Sequence, residues 1–141
     1  MGFIEALPEA STLVHGDFHT GNVFLSGGES LFIDVDRMSV GDPIADISAV
    51  YLFYVGYTEF IPGMTEDFMG FSEETAKAFY NCFIRRYLDT DNEAEIEAVT
   101  QKARLLAYVR LIGQLKKKKP VSDKNRAVIE KLIEKIKEIV Y

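Results

Sequence analysis

"HGDFHTGN", residues 15–22, sets two histidines, an aspartate, an asparagine and two glycines in eight consecutive positions, and the 141-residue chain has no other histidine. Apolar runs flank it on both sides. Thr12 to His15 (TLVH) reads as a short strand, and so does Asn22 to Ser26 (NVFLS), which makes the polar stretch a loop between two extended pieces. Such a loop is either a polar turn satisfying its own backbone or the start of a site.

The next residues favour a site. A further apolar run, Ser30 to Val35 (SLFIDV), follows Asn22 to Ser26 after Gly27 and Gly28, which supply the backbone freedom of a tight hairpin. A hairpin there folds Asp34 and Asp36 back toward residues 15–22. At Asp42-Pro43 the pattern changes to helix, with aspartate as N-cap and proline at the first helical position, followed by the apolar stretch Ile44 to Val55. Capping alone accounts for Asp42. Residues 56–71, with Gly56, Pro62, Gly63 and Gly70 among aromatics, read as irregular or broken. Ser72 caps a second helix with Ala76, Phe79, Tyr80, Phe83, Ile84, Tyr87 and Leu88 on its apolar face. A third helix spans about Asn92 to Lys118. The last, Ser122 to Val140, places Ile129, Leu132, Ile133, Ile136 and Ile139 on one stripe. These stripes are expected to be core, and Cys82 to be a buried, inert thiol.

Composition bounds the function classes. With 48% hydrophobic and 27% charged residues, the chain reads as one soluble domain, able to bury roughly 70% of its unfolded surface without disulfide or structural metal. A net charge of −6 argues against nonspecific nucleic-acid binding, whose affinity comes from cations on phosphates. The basic run Lys116 to Lys119 complements a helix C-terminus. No apolar run approaches the ~20 residues of a membrane span, and no secretory signal opens the chain. The expectation is a cytoplasmic protein with neither nucleic-acid nor membrane partners.

Asp17 and Asn22, joined by Asp34 through the hairpin, offer a carboxylate and amide set with hard oxygen donors. Such a set suits magnesium; zinc favours nitrogen and sulfur, and two histidines are too few for it. The spacing His15-x-Asp17-x-x-x-x-Asn22 matches a kinase catalytic loop, in which the aspartate takes or orients the proton of the attacking hydroxyl and the asparagine holds magnesium.

"LVHGDFHTGNVFL" followed by "LFIDVDRMSVGDPIADIS" resembles the aminoglycoside phosphotransferases and choline-kinase-like small-molecule kinases, over about residues 12–50. The resemblance implies an α+β, mostly helical fold: the C-terminal lobe of a protein-kinase-like protein, with the catalytic loop and hairpin in 12–36 and a helical bundle in 42–140. It implies Asp17 as catalytic base, and Asn22 and Asp34 as magnesium ligands. His15 would brace the loop, His19 would stand behind it, and Asp46 would hydrogen-bond loop backbone. Asp36 would orient substrate or metal-bound water, or cap the turn. The cofactors implied are Mg2+ and ATP, and the partner a small-molecule hydroxyl substrate such as an aminoglycoside, choline or a sugar.

Kinases of this kind cover the ATP phosphates with a second, strand-rich lobe carrying a lysine. Fourteen residues precede His15 and hold no such lobe. The chain is therefore expected to be a truncated piece covering the catalytic lobe alone, inactive without its nucleotide lobe, ahead of a lobe that pairs with a separate chain or a degenerate relative kept for another purpose; the interface left open is expected to favour self-association. Two alternatives rank below: a noncatalytic regulatory lobe keeping the loop as scaffold, and a metal-dependent phosphohydrolase, for which Asp17-x-His19 and Asp42 with Asp46 provide a partial pattern.

Overall fold

The computed structural model describes residues 12–117 and 120–141. Four short strands come first: β1 (Thr12–Val14), β2 (Val23–Ser26), β3 (Glu29–Phe32) and β4 (Ser39–Gly41). They form two separate antiparallel ribbons, β1 with β4 and β2 with β3. In the second, Val23 faces Phe32 and Ser26 faces Glu29. Gly27 and Gly28 between them have φ of 59° and 85°. Two consecutive positive φ values give the primed turn that matches strand twist, and only glycine adopts them without steric cost. β4 was not among the expected strands; it pairs Val14 with Ser39 and Thr12 with Gly41, and so closes the loop region from the far side.

Six helices follow: α1 (Ile44–Tyr51), α2 (Tyr57–Phe60), α3 (Met64–Met69), α4 (Glu73–Leu88), α5 (Glu93–Lys117) and α6 (Asp123–Val140), with α1 continuing through a π-helical turn at Leu52–Gly56. The fold is α+β and mostly helical. Helix starts follow local chemistry. Asp42 Oδ1 accepts the Ile44 N–H at 2.9 Å ahead of α1. Ser72 and Ser122 accept from Thr75 and Asn125 at the starts of α4 and α6. Residues 57–69, read as broken, form two short helices ending near Ile61 and Gly70.

The core is built around α1 and its π-helical continuation. Ala49, Val50, Tyr51, Leu52 and Tyr54 are all but inaccessible to solvent. α5 packs against α1 and brings Ala103, Ala107 and Leu111 into the same core; small side chains four residues apart suit a close helix approach. α4 contributes Ala76, Tyr80 and Ile84 to this core, and α6 contributes Ile129 and Leu132. Among the described residues, no helix is long and apolar enough to cross a membrane.

Three expectations about burial are corrected. Cys82 is exposed, not buried. It lies two residues from both Tyr80 and Ile84, which puts it roughly 200° around the helix from the buried stripe. Phe79 and Tyr87 are 40% and 50% exposed, at the edge of the α4 stripe rather than in it. Ile133 is also 40% exposed, because α6 packs chiefly on α5 and one main neighbour covers only a narrow seam. Of the basic run, Lys116 and Lys117 are exposed at the end of α5; Lys118 and Lys119 lie outside the described residues. The ribbons also carry exposed apolar side chains, with Leu13, Phe24, Leu25, Leu31 and Val40 each 60% exposed or more.

Candidate active site

Residues 15–22 are held by α1, by its π-helical continuation, by the end of the hairpin and by α5. From the first turn of α1, Asp46 reaches back to the loop: Oδ2 accepts the N–H of His15 at 2.7 Å and Oδ1 that of Gly16 at 2.8 Å. Gly16 has φ +80°, and a Cβ there would sit 2.7 Å from the carbonyl oxygen of Arg37, so this position admits glycine alone. From the π-helical turn, the Tyr54 hydroxyl donates to Thr20 Oγ1 at 2.7 Å and receives the Thr20 N–H at 3.3 Å. Burial is the main cause of the raised Tyr54 pKa, which keeps the phenol a donor.

The two histidines occupy interior positions. His15 Nδ1 accepts the N–H of Asp17 at 3.3 Å, which leaves the proton on Nε2, and Nε2 donates to the carbonyl of Ile33 at 3.0 Å. His15 therefore ties the loop to the end of the hairpin. His19 Nδ1 accepts the N–H of Gly21 at 3.1 Å, and its ring packs against Phe53 with centroids 4.6 Å apart. Burial lowers the His19 pKa from its ordinary 6.5; the Asp17 carboxylate opposes this, His15 and Arg110 add to it, and Asp34 opposes it weakly.

Around Asp17 the chemistry converges. Asn22 is buried; its Nδ2 donates to the Asp17 carbonyl at 3.0 Å, so its Oδ1 is left as the acceptor. The Asn22 carbonyl in turn accepts the N–H of Ile33 at 3.0 Å. With its N–H held by Asn22 and its carbonyl by His15, Ile33 fixes the start of Asp34. Asp34 is exposed and has φ 57°, a left-handed conformation that costs a non-glycine residue energy and is concentrated at sites of function. Asp36 is exposed in the turn Val35–Arg37, and neither carboxylate has a side-chain partner among the described residues.

The Asp17 carboxylate itself, 19% exposed, is met by two arginines. Arg110 of α5 binds Oδ1 through Nη2, and Nη1 donates to the Gly16 carbonyl at 3.2 Å. Arg37 Nη1 lies 3.6 Å from Oδ2, on a side chain 60% exposed. Neither arginine was singled out from the sequence. Arg37 had a visible cue, its place at the end of "LFIDVDR". Arg110 had a subtler one: an arginine between Ala107 and Leu111 on the stripe α5 buries calls for a carboxylate partner.

Asn22 Oδ1 and the Asp34 carboxylate are hard oxygen donors, and both neighbouring histidines have Nδ1 engaged by backbone N–H groups, a donor set that fits magnesium and not zinc. Among the described residues no three histidine, cysteine or acidic side chains cluster as a metal site. The fit is therefore to a cation sharing its shell with water and phosphate oxygens, not to an all-protein cage. A larger groove, about 630 Å³, lies elsewhere between α2, α5 and α6, lined in part by Glu59, Arg104, Tyr108 and Lys131, and shares no residue with the loop. Glu59 there accepts hydrogen bonds from both Tyr51 and Tyr108 and stitches α2 to α1 and α5.

A model of the phosphotransferase enzyme family matches residues 3–96, which include the whole loop, the hairpin and Asp46. No curated protein and no solved structure matches the chain.

Proposed function

Because this chain belongs to the phosphotransferase enzyme family, we propose that it forms the catalytic lobe of a kinase-like enzyme that moves the terminal phosphoryl group of ATP to a hydroxyl of a small molecule. The observation carrying this reading is Asn22, which hydrogen-bonds the Asp17 carbonyl on one side and the backbone next to Asp34 on the other. One residue thus links the backbone that carries Asp17 to the backbone that leads into Asp34, the two carboxylates this reading uses.

In this reading Asp17 accepts the proton of the acceptor hydroxyl as that oxygen bonds to phosphorus and the bond from phosphorus to the nucleoside diphosphate breaks. Asn22 Oδ1 and Asp34 hold magnesium, which supplies neutralisation of phosphate charge when bound. His15 and Asp46 keep the loop in register for the transfer, His19 fills the space beneath it, and Asp36 lies on the open side toward substrate. Most of the rate enhancement in such a site comes from position and preorganised charge. The four strands of the described residues carry no lysine. The reading therefore includes a nucleotide-covering lobe beyond the described residues, with the exposed apolar side chains of the ribbons for it to cover.

Substitution of Asp17 by alanine tests the assignment. In the native gene product, phosphoryl transfer from Mg-ATP to a panel of aminoglycosides, choline and sugars is expected to fall at least ~10²-fold. Turnover near that of the unsubstituted protein overturns it. Calorimetry of Mg-ATP on the 141-residue chain, beside a form extended upstream along its reading frame, tests the second lobe: binding by the extended form alone is expected, and equal binding by both overturns that part.

A further inference from the structure

Resting on the reading of Asp17 as the proton acceptor, we propose that Arg110 is a positioning residue that takes Oδ1 of Asp17 out of play and leaves Oδ2 as the atom that meets the acceptor hydroxyl. Arg110 lies outside residues 3–96, so the family match says nothing of it. Its guanidinium is 21% exposed and reaches two consecutive residues, the Gly16 carbonyl through Nη1 and Asp17 Oδ1 through Nη2.

A planar fork that engages a backbone atom and a side-chain atom of neighbouring residues fixes the carboxylate's rotation as well as its place, which a lysine's point charge does not. The other oxygen is treated differently. Arg37 stands 3.6 Å from Oδ2, beyond hydrogen-bond distance, on a mostly exposed side chain. Contacts of that kind are weak and screened, so Oδ2 keeps lone pairs for a hydroxyl proton. The mount is a 25-residue helix packed against α1, with Ala103, Ala107 and Leu111 buried in the shared core. A displaced carboxylate is costly in such chemistry: an error of about 1 Å in a reacting group lowers rates by about 10².

The test compares R110K and R110A with the unsubstituted native gene product, with urea unfolding to verify that each variant is folded. R110A is expected to lower kcat by about 10²-fold while KM for ATP and acceptor changes less than about twofold; R110K keeps the charge, loses the fork and does not rescue kcat. The independent readout is nitrogen NMR of the Arg110 guanidinium, whose rotation about the Nε–Cζ bond is slowed by the clamp and released in Asp17→Ala. Wild-type kcat in both variants, full rescue by R110K, or a rise in KM with kcat unchanged overturns the proposal. So does a freely rotating guanidinium in the unsubstituted protein. Absence of any phosphoryl transfer by the unsubstituted protein overturns the functional reading instead, and the positioning role with it.

Discussion

Asp46 Oδ2 receives the backbone N–H of His15 at 2.7 Å across 31 residues of chain. Its other oxygen takes the next N–H, that of Gly16. One carboxylate at the start of α1 thus satisfies two successive amides of the loop, each bond strengthened by the acceptor's charge. Asp46→Ala strands both donors and is expected to lower unfolding free energy by about 2–4 kcal/mol, read as a reduced urea midpoint at unchanged slope. A midpoint like that of the unsubstituted protein would mean that water replaces the carboxylate without loss.

Gly16 and Gly28 both have positive φ, but their surroundings differ. Nothing lies within 4 Å of a Cβ added at Gly28, whereas at Gly16 it meets the Arg37 carbonyl at 2.7 Å. Gly28→Ala is expected to cost about 1–2 kcal/mol, the conformational term alone. Gly16→Ala adds a clash with backbone, so its cost exceeds that of Gly28→Ala and it displaces Asp17. Equal unfolding midpoints for the two variants would contradict the close approach of Arg37.

His19 couples the loop to pH. Its pKa is lowered from 6.5, first by burial, so below pH 6.5 the unfolded chain binds more protons at this residue than the folded one. The neutral buried ring contributes its full stability above 6.5, and that contribution drains away as pH falls toward the lower folded value. Urea midpoints of His19→Asn, which keeps an acceptor for the Gly21 N–H and cannot titrate, are expected to fall less between pH 7.5 and 5.5 than those of the unsubstituted protein. Parallel curves would place the titration elsewhere.

Cys82 is exposed on α4, so a thiol reagent such as DTNB is expected to titrate one thiol in the native protein without denaturant. Cys82→Ser is expected to shift stability by no more than about 0.5 kcal/mol, as for other surface changes. Reaction only after unfolding would restore the buried thiol read from the sequence.

What the sequence made legible was local. Gly27-Gly28, Asp42-Pro43, Ser72 and Ser122 each carry their structural instruction within three or four residues, and the hairpin and helix starts follow them. The meeting of Asn22 with Asp17, and of Ile33 beside Asp34 with Asn22, was legible because the loop spacing and the hairpin together suffice for it. β4 was not, since a three-residue strand gets its identity from a partner 25 or more residues away. Cys82 and Ile133 went astray for a different reason: composition marks an apolar run, but the angle around the helix and the number of neighbours decide which side chains are covered. Arg110 depends on tertiary packing throughout, with its partners at the opposite end of the chain.

That separation has a temporal side. Arg110 lies 93 residues after Asp17, and synthesis at ~5–20 residues per second puts about 5–20 s between them. From residue 54 onward the growing chain contains Asp46 and Tyr54 but not yet the guanidinium. The Asp17 carboxylate gains its Arg110 anchor only when α5 docks. A stalled or prematurely released chain that ends before residue 110 would present the complete motif with its aspartate unclamped.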